Sequence, residues 1–203
     1  MTSIESVTLE VPEPVAAEAF YTAAFGLDDK VRVRASQSLT TGFRGFTLSL
    51  IVSQPSTVDS LIGTALAGGA TELKPAKKQF WGGYSGVVRA PDGTIWKVAT
   101  SAKKDTGPAT RSIDEIALIL GVADMARSKQ FYVARGLAVA KSFGSKYAEF
   151  GAEAGAIKLS LYKRGGLAKD AGVTPEGTGS HQLAISSDAG PFTDPDGFTW
   201  EAA

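Results

Sequence analysis

The chain contains no cysteine and only one histidine, His181. Without thiols there is no disulfide frame, no thiolate nucleophile and no cysteine-ligated zinc or iron–sulfur centre. Net charge is missing as well: 21 basic residues balance 21 acidic ones. No overall field therefore draws the protein to nucleic acid or to an anionic membrane. The longest apolar stretch, Phe46 to Val52, is interrupted by Thr47 and Ser49 and is far too short to span a bilayer. The opening residues Met1-Thr2-Ser3-Ile4-Glu5 carry neither a basic start nor an apolar signal core, so the expectation is a soluble cytoplasmic protein. With 203 residues, 43% of them hydrophobic, the chain is able to bury one large core or two small ones.

What the sequence does have is internal repetition. Pro91-Asp92-Gly93-Thr94-Ile95-Trp96-Lys97 recurs as Pro195-Asp196-Gly197-Phe198-Thr199-Trp200-Glu201. Ile4-Glu5-Ser6-Val7 recurs as Ile113-Asp114-Glu115-Ile116, and Phe20-Tyr21 with Gly26-Leu27 recurs as Phe131-Tyr132 with Gly136-Leu137. The spacing suits a duplicated domain rather than a solenoid. It divides the chain into a first half, 1–100, a polar, turn-rich linker, 101–111, and a second half, 112–203. At aligned positions Ser6 and Lys97 stand opposite Glu115 and Glu201, so the acidic second half is the expected seat of any chemistry.

Hydrophobic alternation predicts strands over 7–11, 31–34, 46–52, 71–73, 85–89 and 94–100, with helices over 15–25 and 56–67 that stop at glycines. The second half restarts with a strand over 113–120 and a helix over 123–135. Strands follow near 139–143, 146–150 and 157–162, then 181–186 and 199–202. The glycine-rich stretch Lys163 to Ser180 reads as a long loop. The Pro-Asp-Gly turns are most simply hairpin punctuation, Trp96 and Trp200 core anchors, Gly82-Gly83 a loop, and Lys77-Lys78 and Lys103-Lys104 solvated charge. A lone histidine is more often structural than a ligand.

Strand–helix–strands order, Phe131-Tyr132 with Gly136-Leu137, and Asp194-Pro195-Asp196-Gly197 with Glu201 together resemble the vicinal oxygen chelate superfamily. This is the glyoxalase, bleomycin-resistance and extradiol-dioxygenase group, and the first half repeats its signatures with Ala90 in place of the first aspartate. The resemblance implies an α+β fold of tandem paired βαβββ units around a U-shaped sheet, with metal ligands on the first and last strands of the units. Carried over, those positions fall on Glu115, near Ser160, on His181 and on Glu201. Their first-half equivalents Ser6, Thr47 and Lys97 are poor metal ligands, and Lys97 is expected to face the opposite half and pair with an acidic group. Two units look truncated: one lacks a hairpin between Arg34 and Phe43, the other its helix and middle strands after Asp188. Open sheet edges need covering, so the two halves, or two chains in a homodimer, would complete each other.

Two functions follow from the resemblance. In the first, Glu115, His181 and Glu201 hold Zn²⁺, Ni²⁺, Mn²⁺ or Fe²⁺. Glu115 or Glu201 then serves as proton shuttle in a lyase or isomerase acting on a small oxygenated metabolite. A dioxygenase is disfavoured because a second nitrogen ligand is absent. Ser160, Tyr162 and Trp200 would contact substrate. In the second, no metal binds and the scaffold sequesters a small hydrophobic or cationic compound among Trp81, Tyr84, Trp96, Tyr147, Tyr162 and Trp200. The partner is a small molecule in both, with no nucleic acid and no membrane.

Overall fold

The computed structural model describes residues 2–27, 29–80 and 82–203. The first half runs β1 (Ile4–Val11), α1 (Pro14–Phe25), β2 (Val31–Ala35), β3 (Thr40–Gly42), β4 (Phe46–Ile51), α2 (Pro55–Ala67), β5 (Thr71–Lys78), β6 (Tyr84–Arg89) and β7 (Ile95–Thr100). The second runs β8 (Glu115–Val122), α3 (Met125–Val133), β9 (Val139–Phe143), β10 (Tyr147–Phe150), β11 (Lys158–Lys163), α4 (Arg164–Ala171), β12 (Gly177–Gly179), β13 (Leu183–Ser187), β14 (Phe192–Thr193) and β15 (Thr199–Ala202).

Four units of βαβββ type are present, two whole and two truncated. The whole units are β4-α2-β5-β6-β7 and β8-α3-β9-β10-β11. They join through antiparallel β4 and β8 into one sheet ordered β5-β6-β7-β4-β8-β11-β10-β9. The truncated units are β1-α1-β2 and β13-β14-β15, joined through antiparallel β1 and β13 into the sheet β14-β15-β13-β1-β2. Each sheet thus takes strands from both halves of the chain. A third, two-stranded sheet pairs β3 with β12, so the stretch after β2 is completed by the other half of the same chain, with Thr41 Oγ1 2.8 Å from Thr178 Oγ1.

One hydrophobic core binds these parts, because period-two alternation aims one face of every major strand the same way. Val7, Leu9, Leu183, Ile185 and Trp200 from the five-stranded sheet meet Leu48, Leu50, Trp96, Leu118 and Leu161 from the eight-stranded one in a single cluster.

Within it the repeated motifs meet in space. Tyr21 on α1 donates to Asp92 Oδ2 in the β6–β7 turn at 2.7 Å and packs on Trp96 with ring centroids 5.3 Å apart. Tyr132 on α3 donates to Asp194 in the β14–β15 turn and packs on Trp200 at 5.4 Å. The second copy uses its extra aspartate to bind more. Asp194 Oδ1 accepts from the backbone N–H of Asp196 (2.9 Å) and Phe198 (2.8 Å). Asp196 in turn accepts from Ala123 N (2.7 Å) and Ser128 Oγ (2.6 Å) at the start of α3. In the first copy the position of Asp194 is Ala90, and Asp92 alone takes both the tyrosine and Thr94.

Two stretches differ from the sequence-based expectation. Lys163 to Ser180 is no loop throughout: it holds α4 and β12. Its glycines concealed the helix, yet Leu167, Ala168 and Ala171 are buried against Phe43, Val87 and Ile95 in a second apolar cluster. Gly121 on β8 makes room for it, since a side chain there would meet the Arg164 Cα at 3.3 Å and the Gly45 carbonyl oxygen at 2.8 Å. The strand expected from His181 begins only at Leu183, because Gln182 adopts φ 53°. That left-handed residue breaks the alternation that would have placed His181 and Leu183 on one face.

The two tyrosine–aspartate pairs set the response to mutation and to alkali. Tyr132→Phe leaves a buried carboxylate without its side-chain donor and should cost about 1–3 kcal/mol in urea unfolding. Tyr21→Phe should cost less, because Asp92 is half-buried and keeps Thr94. A Tyr132→Phe variant of native stability would contradict this.

Burial first, then the adjacent Asp92 and Asp194 carboxylates, raise the Tyr21 and Tyr132 hydroxyls well above the ordinary value of 10.0. A raised phenol stabilises the fold fully below pH about 10 and loses that contribution as pH climbs past it. Two of the five tyrosines should therefore ionise, followed at 295 nm, only in the cooperative step that also abolishes the near-ultraviolet circular dichroism. Ionisation of all five with that signal intact would refute the arrangement.

Candidate functional site

On the eight-stranded sheet, the residues alternate with those of the core. Ser49 and Ile51 of β4, Lys97 and Ala99 of β7, and Glu115, Ala117 and Ile119 of β8 turn away from the core. Lys158, Ser160 and Tyr162 of β11 do the same, as do Tyr147 and Glu149 of β10, and together they line a cavity of about 970 Å³. The β-ladder registers put Lys97, Ser49, Ala117 and Lys158 in one row across four strands. Ile119, Ser160, Glu149 and Lys141 form the next row. The helix α4 closes one side through Ile119 and Tyr162, which pack against its buried face.

Ion pairs ring a floor of small side chains. Lys97 Nζ lies 2.7 Å from Asp170 of α4, which is the expected pairing of Lys97 with an acid of the opposite half. Lys158 Nζ lies 2.7 Å from Glu115 and 3.8 Å from Glu149. The Lys158 pKa is raised: burial works against the charge, and Glu115 and Glu149 outweigh it. Tyr147 Oη donates to Glu149 at 3.1 Å and sits 3.0 Å from Ser160 Oγ. Burial, with Glu149 adding to it and Ser160 opposing, pushes the Tyr147 hydroxyl up to about 12, so it stays a neutral hydroxyl across the physiological range. Ser49, only 3% exposed, has a hydroxyl with no partner among the described residues.

The five-stranded sheet presents a different face. Arg34 of β2 bridges Glu10 at 2.6 Å and Glu201 at 3.0 Å, so a guanidinium already occupies the carboxylates there. His181 belongs to the packing. Its ring stacks on Phe198 with centroids 3.9 Å apart. Nδ1 lies 2.5 Å from the Arg44 carbonyl oxygen and Nε2 3.1 Å from that of Asp196. Both nitrogens face acceptors, so neither turns a lone pair toward a cavity.

The expected site residues are therefore not brought together. Glu115 stands on the eight-stranded sheet against Lys158, Glu201 on the five-stranded sheet against Arg34, and His181 ahead of β13 between two carbonyls. Among the described residues no three His, Asp or Glu side chains form a group able to hold a metal ion. Nor does the donor set of the cavity fit a divalent cation. Ser49 and Ser160 are weak donors, Glu115 is held by an ammonium group, and Lys97 and Lys158 would repel the ion from either side.

Of the residues expected at substrate, Ser160 and Tyr162 line the cavity, whereas Trp200 is 1% exposed in the core. Of the other expected aromatic walls, Tyr147 faces the cavity. Trp96 is buried in the core, Tyr84 binds Asp59 beside α2, and Trp81 lies outside the described residues. Sequence reasoning passed over Ser49, Lys158, Glu149 and Asp170. The signal for two of them was present: Lys158-x-Ser160-x-Tyr162 and Tyr147-x-Glu149 alternate on strands, and each set shares a face.

No protein-family model and no curated protein matches the chain. Solved structures do. Glyoxalase I from Zea mays aligns over 98% of this chain and 91% of its own, with TM-score 0.64 and 16% identity. A putative dioxygenase from Bacillus subtilis aligns over 91% of this chain and 69% of its own, with TM-score 0.56 and 11% identity. At such identities the likeness concerns architecture, and it agrees with the four βαβββ-type units found here. The chain has the vicinal oxygen chelate fold.

Proposed function

We propose that this protein binds a small molecule without a metal, in the cavity over the eight-stranded sheet. The observation that carries the reading is the row Lys97-Ser49-Ala117-Lys158, which sets two ammonium groups where a chelating scaffold needs carboxylates and imidazoles. A volume of about 970 Å³ suits a drug-sized or smaller ligand. Ile51, Ala99, Ala117 and Ile119 offer an apolar floor, Tyr147 and Tyr162 aromatic walls, and hydroxyl and ammonium groups fixed points of orientation. The fold supports both enzymes and binding proteins, and the site must choose between them. A metal-dependent lyase or isomerase would need Glu115, His181 and Glu201 at one ion, and their present partners lie in separate places.

A neutral fluorescent probe, 2-naphthol, should bind saturably, and Ala117→Phe, which fills the floor, should abolish that binding while leaving the melting temperature near native. Millimolar Zn²⁺, Ni²⁺ or Mn²⁺ added to untagged protein should neither alter probe binding nor raise the melting temperature. A melting temperature that climbs with metal concentration would overturn the reading.

His181→Ala should lower stability by about 1–3 kcal/mol through its lost hydrogen bonds and ring contact and leave 2-naphthol affinity unchanged. A variant that keeps native stability and loses the probe would return His181 to the site.

A further inference from the structure

The chemical class of the ligand follows from what the cavity offers and what it has already used; this step rests on the metal-free binding reading above. Four lysines, Lys97, Lys141, Lys146 and Lys158, line the cavity against three carboxylates, Glu115, Glu149 and Asp170. Every one of those carboxylates is engaged: Asp170 by Lys97, Glu115 by Lys158, and Glu149 by the Tyr147 hydroxyl with Lys141 at 3.6 Å. The donors are not used up. An ammonium group has three N–H bonds. Asp170 takes one from Lys97, and Glu115 takes one from Lys158. Between these two lysines lies the Ser49 hydroxyl, 3% exposed and with no partner among the described residues. A buried hydroxyl left without a partner is costly, and β4–β7 pairing sets Ser49 directly beside Lys97.

The cavity thus holds a surplus of donors and one surplus positive charge. Next to them are Ala99, Ala117, Ile51 and Ile119, with the Tyr147 and Tyr162 rings T-shaped to each other, centroids 6.0 Å apart.

We infer that the ligand is a small organic carboxylate with a flat apolar body. Its carboxylate accepts from Ser49 Oγ and Lys97 Nζ, and its body lies over Ala117 toward the tyrosines. Tyr147, held as a neutral hydroxyl, completes the polar rim without adding a like charge.

One ring with three charges tests the assignment. Benzoate, benzamide and benzamidine share a shape and carry negative, zero and positive charge. Affinities come from chemical-shift titration of the full-length protein, with amide shifts of β4, β7, β8 and β11 marking the cavity. Benzoate should bind about tenfold or more tightly than benzamide, with benzamidine weakest, and all shifts should fall on those strands. Ser49→Ala and Lys97→Gln should each weaken benzoate by about tenfold and leave benzamide nearly unchanged. Lys97→Arg should retain much of the affinity.

Benzamidine binding in the cavity as well as or better than benzoate would overturn the carboxylate assignment and leave the cavity as the site. So would benzoate affinity indifferent to Ser49→Ala and Lys97→Gln. Shifts confined elsewhere, together with no 2-naphthol binding, would overturn the binding reading itself.

Discussion

Two tyrosine–aspartate contacts, one buried and one half-buried, cross between the sheets in opposite senses, and the rest of the structure hangs on them. Tyr21 sits on the helix that covers the five-stranded sheet and reaches Asp92 in a hairpin of the eight-stranded one. Tyr132 sits on the helix beside the eight-stranded sheet and reaches Asp194 in a hairpin of the five-stranded one. Each tyrosine also lies on the tryptophan that follows its aspartate partner. A phenol in the core needs an acceptor and a buried carboxylate needs donors, so neither group is easily displaced without orphaning the other. The Pro-Asp-Gly turns that read as hairpin punctuation are therefore also the receiving ends of these contacts. Both copies of the sequence motif thus tie a helix to a hairpin, through Asp92 in one and through Asp194, two residues before the equivalent of Asp92, in the other.

Because both ties cross between sheets built from both halves, neither half closes a sheet alone. The four complete strands of β4–β7 find their central neighbour in β8, and β1 finds its neighbour in β13. The gap after β2 is filled the same way, by β12 from the other half. The stretch after β2 is thus paired within one chain, in a small sheet of its own beside the five-stranded one. The helix α4 then lies on the eight-stranded sheet beside Gly121, and its Asp170 holds Lys97.

Periodic apolar strands, helix-ending glycines and paired turns were legible in the sequence because each depends on local chemistry. β8 alternates as expected, with Ile116 in the core and Ala117 on the cavity floor. What escaped depended on contacts distant in sequence. The helix Arg164–Ala171 has two glycines and a weak apolar face, and it is held by burial against Phe43, Val87 and Ile95. Gln182 carries no signature of its left-handed backbone, yet that single residue turns His181 out of the strand and into a stack on Phe198. Glu115 and Glu201 were expected at one site because the family resemblance sets metal ligands on the first and last strands of the units. The topology sends them to different sheets, since the second half contributes one unit to each.

The chemistry of both sheets then turns on where a cation comes from. Strand register fixes which positions converge, and side-chain identity decides what they do. In the five-stranded sheet the cation is Arg34, supplied by the truncated unit's own β2, and its fork spans Glu10 and Glu201 in one geometry. In the eight-stranded sheet the corresponding charges are the ammonium groups of Lys97 and Lys158, set on either side of Ser49 and Ala117. Arginine's guanidinium bridges both carboxylates at once. The lysines, each a point charge with spare donors on a flexible stem, leave their face open. One face thus carries an ion-pair network on a short sheet of truncated units, and the other, walled by β10 and α4 as well, keeps donors to spare.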